Sequence, residues 1–370
     1  MVAINRQDRI LKLGYSEAVA IAMVYIGAKV FLGYPRFLVE MGLNAAWLVV
    51  IIGAGVSMLF WLVVVSLLSR FPGKSILSIS MIVLGPVLGL IVNLTVLFYL
   101  IASSSNLLRL FSDSIIITAL PEAPISSLVL LFGVIMLLAA YLGLEALSRN
   151  AYISLPFVTA GVLAVLFSLY PFWETKNLLP LLGPGPLDVM INGFLNCSAF
   201  GEVMVLGILA PYFSFDKKML RNIGIFSITL VGFGFLAITL VYLMVLPVPA
   251  ALEHLAPFYQ LSRSIFWGRY YQRLESVFIL FWTYTAFLRL SLGLLVVALA
   301  SKDIFRLPYY RPLLPALIII FYSLALTPDN LVTAIAIEKD RLLYSWVITL
   351  LLPAVLTLIA VLRKKEEKGG

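Results

Sequence analysis

The stretch "IGAKVFLGYP", residues 26–35, sets a lysine, two glycines and a proline inside a segment otherwise apolar enough to cross a bilayer. Gly27 and Gly33 weaken helix propensity and Pro35 lacks a backbone donor, so the segment predicts a membrane helix broken partway. In hydrocarbon every amide and carbonyl released by such a break needs protein, water or ligand as its partner. A second stretch of the same kind is "GFLNCSAFGEVM", residues 193–204, where Ser198, Ala199 and Gly201 precede a lone carboxylate, Glu202.

The chain around these breaks is a membrane protein by composition. Of its 370 residues 62% are hydrophobic and only 12% charged, and its mean hydropathy is +1.07, which excludes a soluble domain. The net charge of +8 lies in short runs between apolar segments, without the continuous basic stripe that nucleic acid requires. A single cysteine, Cys197, and a single histidine, His254, predict no internal disulfide, no metal cluster and no cofactor. No nucleophile with a histidine base and no phosphate loop points to an enzyme. The N-terminal stretch lacks a short apolar core followed by a small-residue cleavage site, so no removable signal peptide is expected.

Since a bilayer core takes about 20 apolar residues per helix, the sequence divides into about ten spans. Charge-free candidates lie near 44–68, 86–108, 126–144, 151–172, 222–246, 312–328 and 342–362. Three more carry an ionisable residue well inside: 15–41 with Lys29, 189–212 with Glu202, and 272–299 with Arg289. Strands alternating at period two are absent, so the fold class is all-α, an integral membrane protein formed as one permease-like domain over 1–370. Lys and Arg concentrate on one side (Arg70, Lys74, Arg149, Lys217, Lys218, Arg221, Lys302, Arg306, Arg311, with Arg6, Arg9, Lys12 and the basic tail 363–370). The other side holds Arg36, Arg109, Lys176, Arg263, Arg269, Arg273, Lys339 and Arg341. By the positive-inside rule both termini are cytoplasmic. "FPGKSILSISMIVLG", 71–85, reads as an inner-face helix, "LLPLLGPGPLDVM", 178–190, as an outer loop, and 247–269 as an outer segment able to cover a vestibule.

The two broken spans are the first and the sixth. Transporters built from two inverted five-helix halves break the first helix of each half at the bilayer midplane and bind substrate there. That architecture would make 15–172 one repeat and 189–362 the other. At ~1.5 Å per residue, Lys29, Glu202 and Arg289 fall in one layer. A buried charge network of these three is therefore expected, structural or functional, with Glu202 facing Lys29 or Arg289. Arg109, Glu275 and Arg273 lie near span ends and are expected to snorkel or pair at the interface. "IASSSN", 101–106, either lines an outer pathway or hydrogen-bonds its own helix. Gly53, Gly55, Gly232 and Gly234 read as packing residues.

Taken together, "IGAKVFLGYPR", "SRFPGKSIL", "GFLNCSAFGEVMVLGILAPYF" and "YYQRLESVFILFW" resemble the B subunit of GerA-type spore germinant receptors, the spore germination permease family, over nearly the whole chain. That family is similar to the amino acid–polyamine–organocation superfamily, with a LeuT-like inverted-repeat fold. The resemblance implies a sensor in the spore inner membrane, binding a small nutrient such as an amino acid beside a membrane A subunit and a lipoprotein C subunit. It also implies a ligand pocket of Ile26, Gly27, Ala28 and Val30 with Ser198, Ala199, Phe200 and Gly201, walled by Tyr99, Ser103, Trp282 and Thr283. Related sequences often carry a small residue where this chain has Lys29, whose ammonium would fill part of the pocket or bind a carboxylate. A proton-coupled amino acid or polyamine transporter using Glu202 or Lys29 is the alternative, and the fold alone does not separate the two.

Overall fold

A computed structural model describes residues 13–213, 216–267, 271–272 and 275–365; for 266, 267, 271, 272 and 275–277 it describes the backbone alone. Arg6, Arg9, Lys12, Arg269, Arg273 and most of the basic tail lie outside the described residues, as does the Glu275 side chain. In chain order the helices are α1 (Tyr15–Gly27), α2 (Tyr34–Gly42), α3 (Ala46–Arg70), α4 (Ile76–Leu84), α5 (Pro86–Thr118), α6 (Ile125–Leu142), α7 (Leu144–Ser168), α8 (Pro186–Leu195), α9 (Cys197–Phe200) and α10 (Val205–Ile208). They continue with α11 (Lys217–Val245), α12 (Val248–Ala251), α13 (Pro257–Arg263), α14 (Glu275–Phe305), α15 (Leu314–Ala325), α16 (Leu331–Tyr344) and α17 (Leu352–Leu362). The one sheet among the described residues pairs two strands of two residues, Phe266–Trp267 and Tyr271–Gln272.

The protein is an all-α integral membrane protein. Among the described residues eight helical segments are long and apolar enough to cross a bilayer, and a shorter apolar one spans Arg311–Ala325. Large apolar side chains such as Leu88, Phe98, Leu142, Phe157 and Leu362 stand exposed on the outside, a surface that only lipid solvates well. The helix α14 is the axis: 83% of its most apolar window is inside the protein, against 22% for α7. It packs against α1, α5, α6 and α7, and accordingly reads hydrophobic on every face.

Local sequence explains the element ends. Ser75 caps α4, its Oγ accepting from Ser78 N at 3.2 Å, and Asn330 caps α16 by accepting from Thr333 N at 3.0 Å. Gly143 adopts φ 93° between α6 and α7, a left-handed conformation that lets the two helices join without a loop. Asn93 ties α5 to α4, its Nδ2 donating to Leu77 O at 2.9 Å while Ser80 Oγ donates to Asn93 Oδ1 at 2.6 Å.

Several boundaries differ from the sequence reading. The third span continues to Thr118 instead of ending at 108, so Arg109 lies within the helix and not at its end; its Nε pairs with Asp113 at 2.8 Å, and its Nη1 donates to Pro328 O at 2.8 Å. The last span begins at Leu331 instead of 342, which moves Glu338 and Arg341 from an expected loop into a helix. The outer loop before the sixth span ends at Gly185, where Pro186 starts α8. Gly53 meets Asn196 closely, but Gly55 and Gly234 face open space and pack against nothing within 4 Å. Of segment 247–269, the described part is anchored in the bundle through Phe258, which lies 5.7 Å from Phe31 and 4.8 Å from Phe278 between ring centroids.

Candidate functional site

The first span does break, later than Gly27. The α-helix runs through Gly27, tightens to a 3₁₀ turn over Ala28–Phe31, and opens at Leu32, whose backbone is extended at φ −98°, ψ −154°. Pro35 then sits in the first turn of α2, where its missing N–H is no loss. The sixth span stays right-handed throughout: Asn196 and Gly201 keep helical dihedrals, and Gly201–Met204 forms a 3₁₀ turn between α9 and α10. What these irregularities release toward side chains is mainly carbonyl oxygen. Lys29 Nζ donates to Ala199 O at 2.6 Å, Ser57 Oγ to Cys197 O at 3.0 Å, and Arg289 Nε to Tyr25 O at 2.9 Å.

Glu202 is the centre of the site. Lys29 Nζ lies 2.9 Å from its Oε2; Arg341 Nη1 and Arg289 Nη2 lie 3.1 Å and 3.4 Å from its Oε1. Arg341 also donates through Nε to Glu338 Oε2 at 2.9 Å and pairs with Glu338 Oε1, and Asn106 Nδ2 reaches Glu338 Oε2 at 3.3 Å. The Arg289 guanidinium lies over the Tyr25 ring, 3.5 Å from its centroid. Glu202 is 4% exposed, Lys29 3% and Arg289 1%. In so dry a place charges persist only through mutual pairing.

Beside this cluster is a small cavity of about 10 Å³, room for one water, lined by Tyr25, Tyr99, Ser103, Glu202, Val205 and Thr349 among others. Of the residues expected around a ligand, Tyr99 and Ser103 line it, and Lys29 reaches it through Glu202. Ile26, Ala28, Val30, Ser198 and Ala199 are buried in the same core, Ser198 Oγ accepting from Trp346 N at 3.0 Å. Gly27 faces Val231, 3.9 Å from where a Cβ would stand. Phe200 turns to Phe235, 5.5 Å away. Trp282 belongs to an aromatic group with Phe111 and Phe278, and Thr283 is half-buried beside it; neither lines the cavity.

Arg341, Glu338, Asn106 and Tyr25 were not expected in this cluster. The run "IEKDR", 337–341, has four consecutive charges and reads as a loop, yet Glu338 and Arg341 are three residues apart and share a helix face, whereas Lys339 and Asp340 are exposed. The cap at Asn330 was the available signal that a helix starts well before them. Between α16 and α17 the chain forms a π turn, Val347–Leu351, a local form frequent at functional sites. That turn brings Thr349 against Gly201 so closely that any Cβ there would collide with Thr349 Oγ1.

Comparison with known proteins follows the same outline. The chain is 21% identical over 368 residues to spore germination protein YndE of Bacillus subtilis (strain 168), covering 96% of this chain and 98% of that protein. The spore germination protein family model matches residues 15–333. With its membrane helices and that match across most of its length, the chain belongs to the spore germination protein family of permease-like membrane proteins.

Proposed function

We propose that the chain is the membrane subunit of a spore germinant receptor, binding a small nutrient, an amino acid, where the first and sixth spans meet. The observation that carries this is the buried centre at Glu202, where the 3₁₀ turns after α1 and α9 meet α14 and α16 around ion pairs and a water-sized cavity. A stable core has no need of five charged groups, and intramembrane ionisable residues mark substrate or ion sites by default. In this reading the bundle has ten spans arranged as two five-helix repeats, 15–172 and 189–362, with both termini in the cytoplasm and the protein in the spore inner membrane. Its partners are a membrane A subunit and a lipoprotein C subunit. Ligand entry then requires the first span to swing on Leu32 and enlarge the cavity.

The test uses the full-length protein in lipid nanodiscs, with a panel of amino acids followed by calorimetry. One amino acid or a small set should bind saturably, and Ser103→Leu, which fills the cavity, should abolish binding while the protein still inserts. Sustained uptake of the same amino acid into proteoliposomes, driven by a proton gradient, would move the reading to transport. Absence of binding by every member of the panel, with receptor partners present, would remove the nutrient site.

A further inference from the structure

A groove opens on the outside of the bundle between α7 and α14. The two helices touch at Gly161, where a Cβ would stand 2.9 Å from Phe281 Cδ2, and again at Asn150, whose Oδ1 accepts from the Tyr284 hydroxyl. Between those contacts Pro156 interrupts the hydrogen-bond ladder of α7, and the helices leave a space of about 350 Å³ walled by Ile153, Phe157, Val158, Leu280 and Phe281. Its rim faces lipid, since Ile153, Phe157 and Leu280 are among the large apolar side chains that stand exposed.

The chemistry of the groove selects its occupant. Its two hydroxyls are already donated, Ser154 Oγ to Ala151 O at 3.1 Å and Tyr284 to Asn150, so water, which needs two to four polar partners, gains little there. An apolar cavity of about 150 Å³ takes up benzene instead of water, and this space is more than twice that size. A membrane helix does not fit: one turn of a helix about 10 Å across occupies roughly 420 Å³. Helices also pack in lipid through small residues, whereas these walls are phenylalanine, leucine, isoleucine and valine. A flexible hydrocarbon chain needs neither small residues nor polar partners.

Depth agrees with such a chain. Arg149, beside Asn150, is exposed and pairs with Glu145 and Glu17; a charged cluster of this kind belongs at the headgroup level, as does the Tyr284 hydroxyl. Residues 153–158 then lie ~5–12 Å deeper at ~1.5 Å per residue, where acyl chains begin. One cation against two carboxylates at the mouth gives an anionic headgroup no advantage. We infer that the groove between α7 and α14 is a binding site for one acyl chain of a membrane phospholipid, recognised by the chain and not by headgroup charge. The site stands beside the nutrient reading and does not depend on it.

The experiment uses the full-length protein in dodecyl maltoside micelles with a phosphatidylcholine that carries a diazirine at the end of one acyl chain. Irradiation is followed by peptide mass spectrometry. Labelling within 150–161 and 278–284 should saturate with probe and be competed equally by unlabelled phosphatidylcholine and phosphatidylglycerol. The exposed face of α6, with Leu130, Leu131 and Leu138, should take up label in linear proportion to probe. Ile153→Trp and Val158→Phe, each placing a larger ring in the groove, should remove the saturable part. Leu163→Trp, at an exposed position of α7 outside the groove, should leave it. Ile153 and Leu163 both face lipid, so their exchange spares the packed interior and keeps the comparison valid should Val158→Phe fail to fold. Labelling linear in probe over every outward face, a saturable part unchanged in Ile153→Trp, or competition by phosphatidylglycerol alone would overturn the site. Protection of the groove peptides from label together with a dimer in sedimentation would overturn it as well, by giving the groove to a second copy of the chain.

Discussion

Arg341 Nη1 stands 3.1 Å from Glu202 Oε1 although 139 positions separate them in the chain. That ion pair joins the last long helical segment to the sixth span, and it makes Glu202 the shared acceptor of three cations. Glu202→Gln leaves those cations with Glu338 alone. It should cost about 3–5 kcal/mol, the usual loss when one member of a buried ionic network is removed. A large fall in melting temperature, or absence from the membrane fraction, checks this; a variant as stable as the parent would show the cluster to be solvated.

Lys29→Met should be milder, because it leaves two cations and two carboxylates, although Glu202 Oε2 loses its ammonium partner and Ala199 O its donor. The double variant Lys29→Met with Glu202→Gln should be more stable than Glu202→Gln alone, though still below the parent, since Arg289 remains short of a carboxylate. A double-mutant cycle on melting temperature reads the coupling; additivity of the two changes would mean that the pair at 2.9 Å contributes nothing.

At Gly201 the backbone approaches Thr349 so closely that a methyl does not fit. Gly201→Ala should lose about 1–3 kcal/mol through overpacking, and Thr349→Ala in the same chain should restore part of it. Equal stability of Gly201→Ala and parent would indicate that the π turn yields freely.

Orientation is testable by single-cysteine labelling in a Cys197→Ser background, Cys197 itself being buried. Glu253→Cys and Lys218→Cys both replace exposed residues. An impermeant maleimide added from outside should modify position 253 and not 218, as the Lys/Arg asymmetry requires. The opposite pattern reverses the proposed topology and places both termini outside.

Much of the bundle was legible because hydrocarbon imposes length and polarity on every span. The depths of Lys29, Glu202 and Arg289 follow from helix rise alone, and in the structure the three are in contact. Arg341 was illegible for the opposite reason: charge density resembles a loop until helix phase assigns Glu338 and Arg341 to one face and Lys339 and Asp340 to the other. The site of the break in the first span was also misplaced. Gly27 remains helical because α11 and α14 pack around α1, and tertiary contact outweighs a glycine's roughly 1 kcal/mol preference against helix. Trp282 and Thr283 do not line the cavity: Trp282 lies seven residues, two turns, before Arg289 on the same side of α14, so the difference is one of depth along the helix.

One carboxylate shared by three cations also fixes the order in which such a sequence can drift. Loss of any one cation leaves the set balanced, two to two, and Lys29 holds fewer partners than either arginine, so its position is the first free to change. Loss of either carboxylate leaves three cations to one, but Glu202 is the one that all three cations face, and each earlier loss of a cation makes its replacement less damaging. A change at Glu202 is therefore tolerated best once Lys29 and an arginine have gone, whereas a change at Lys29 alone is a single step.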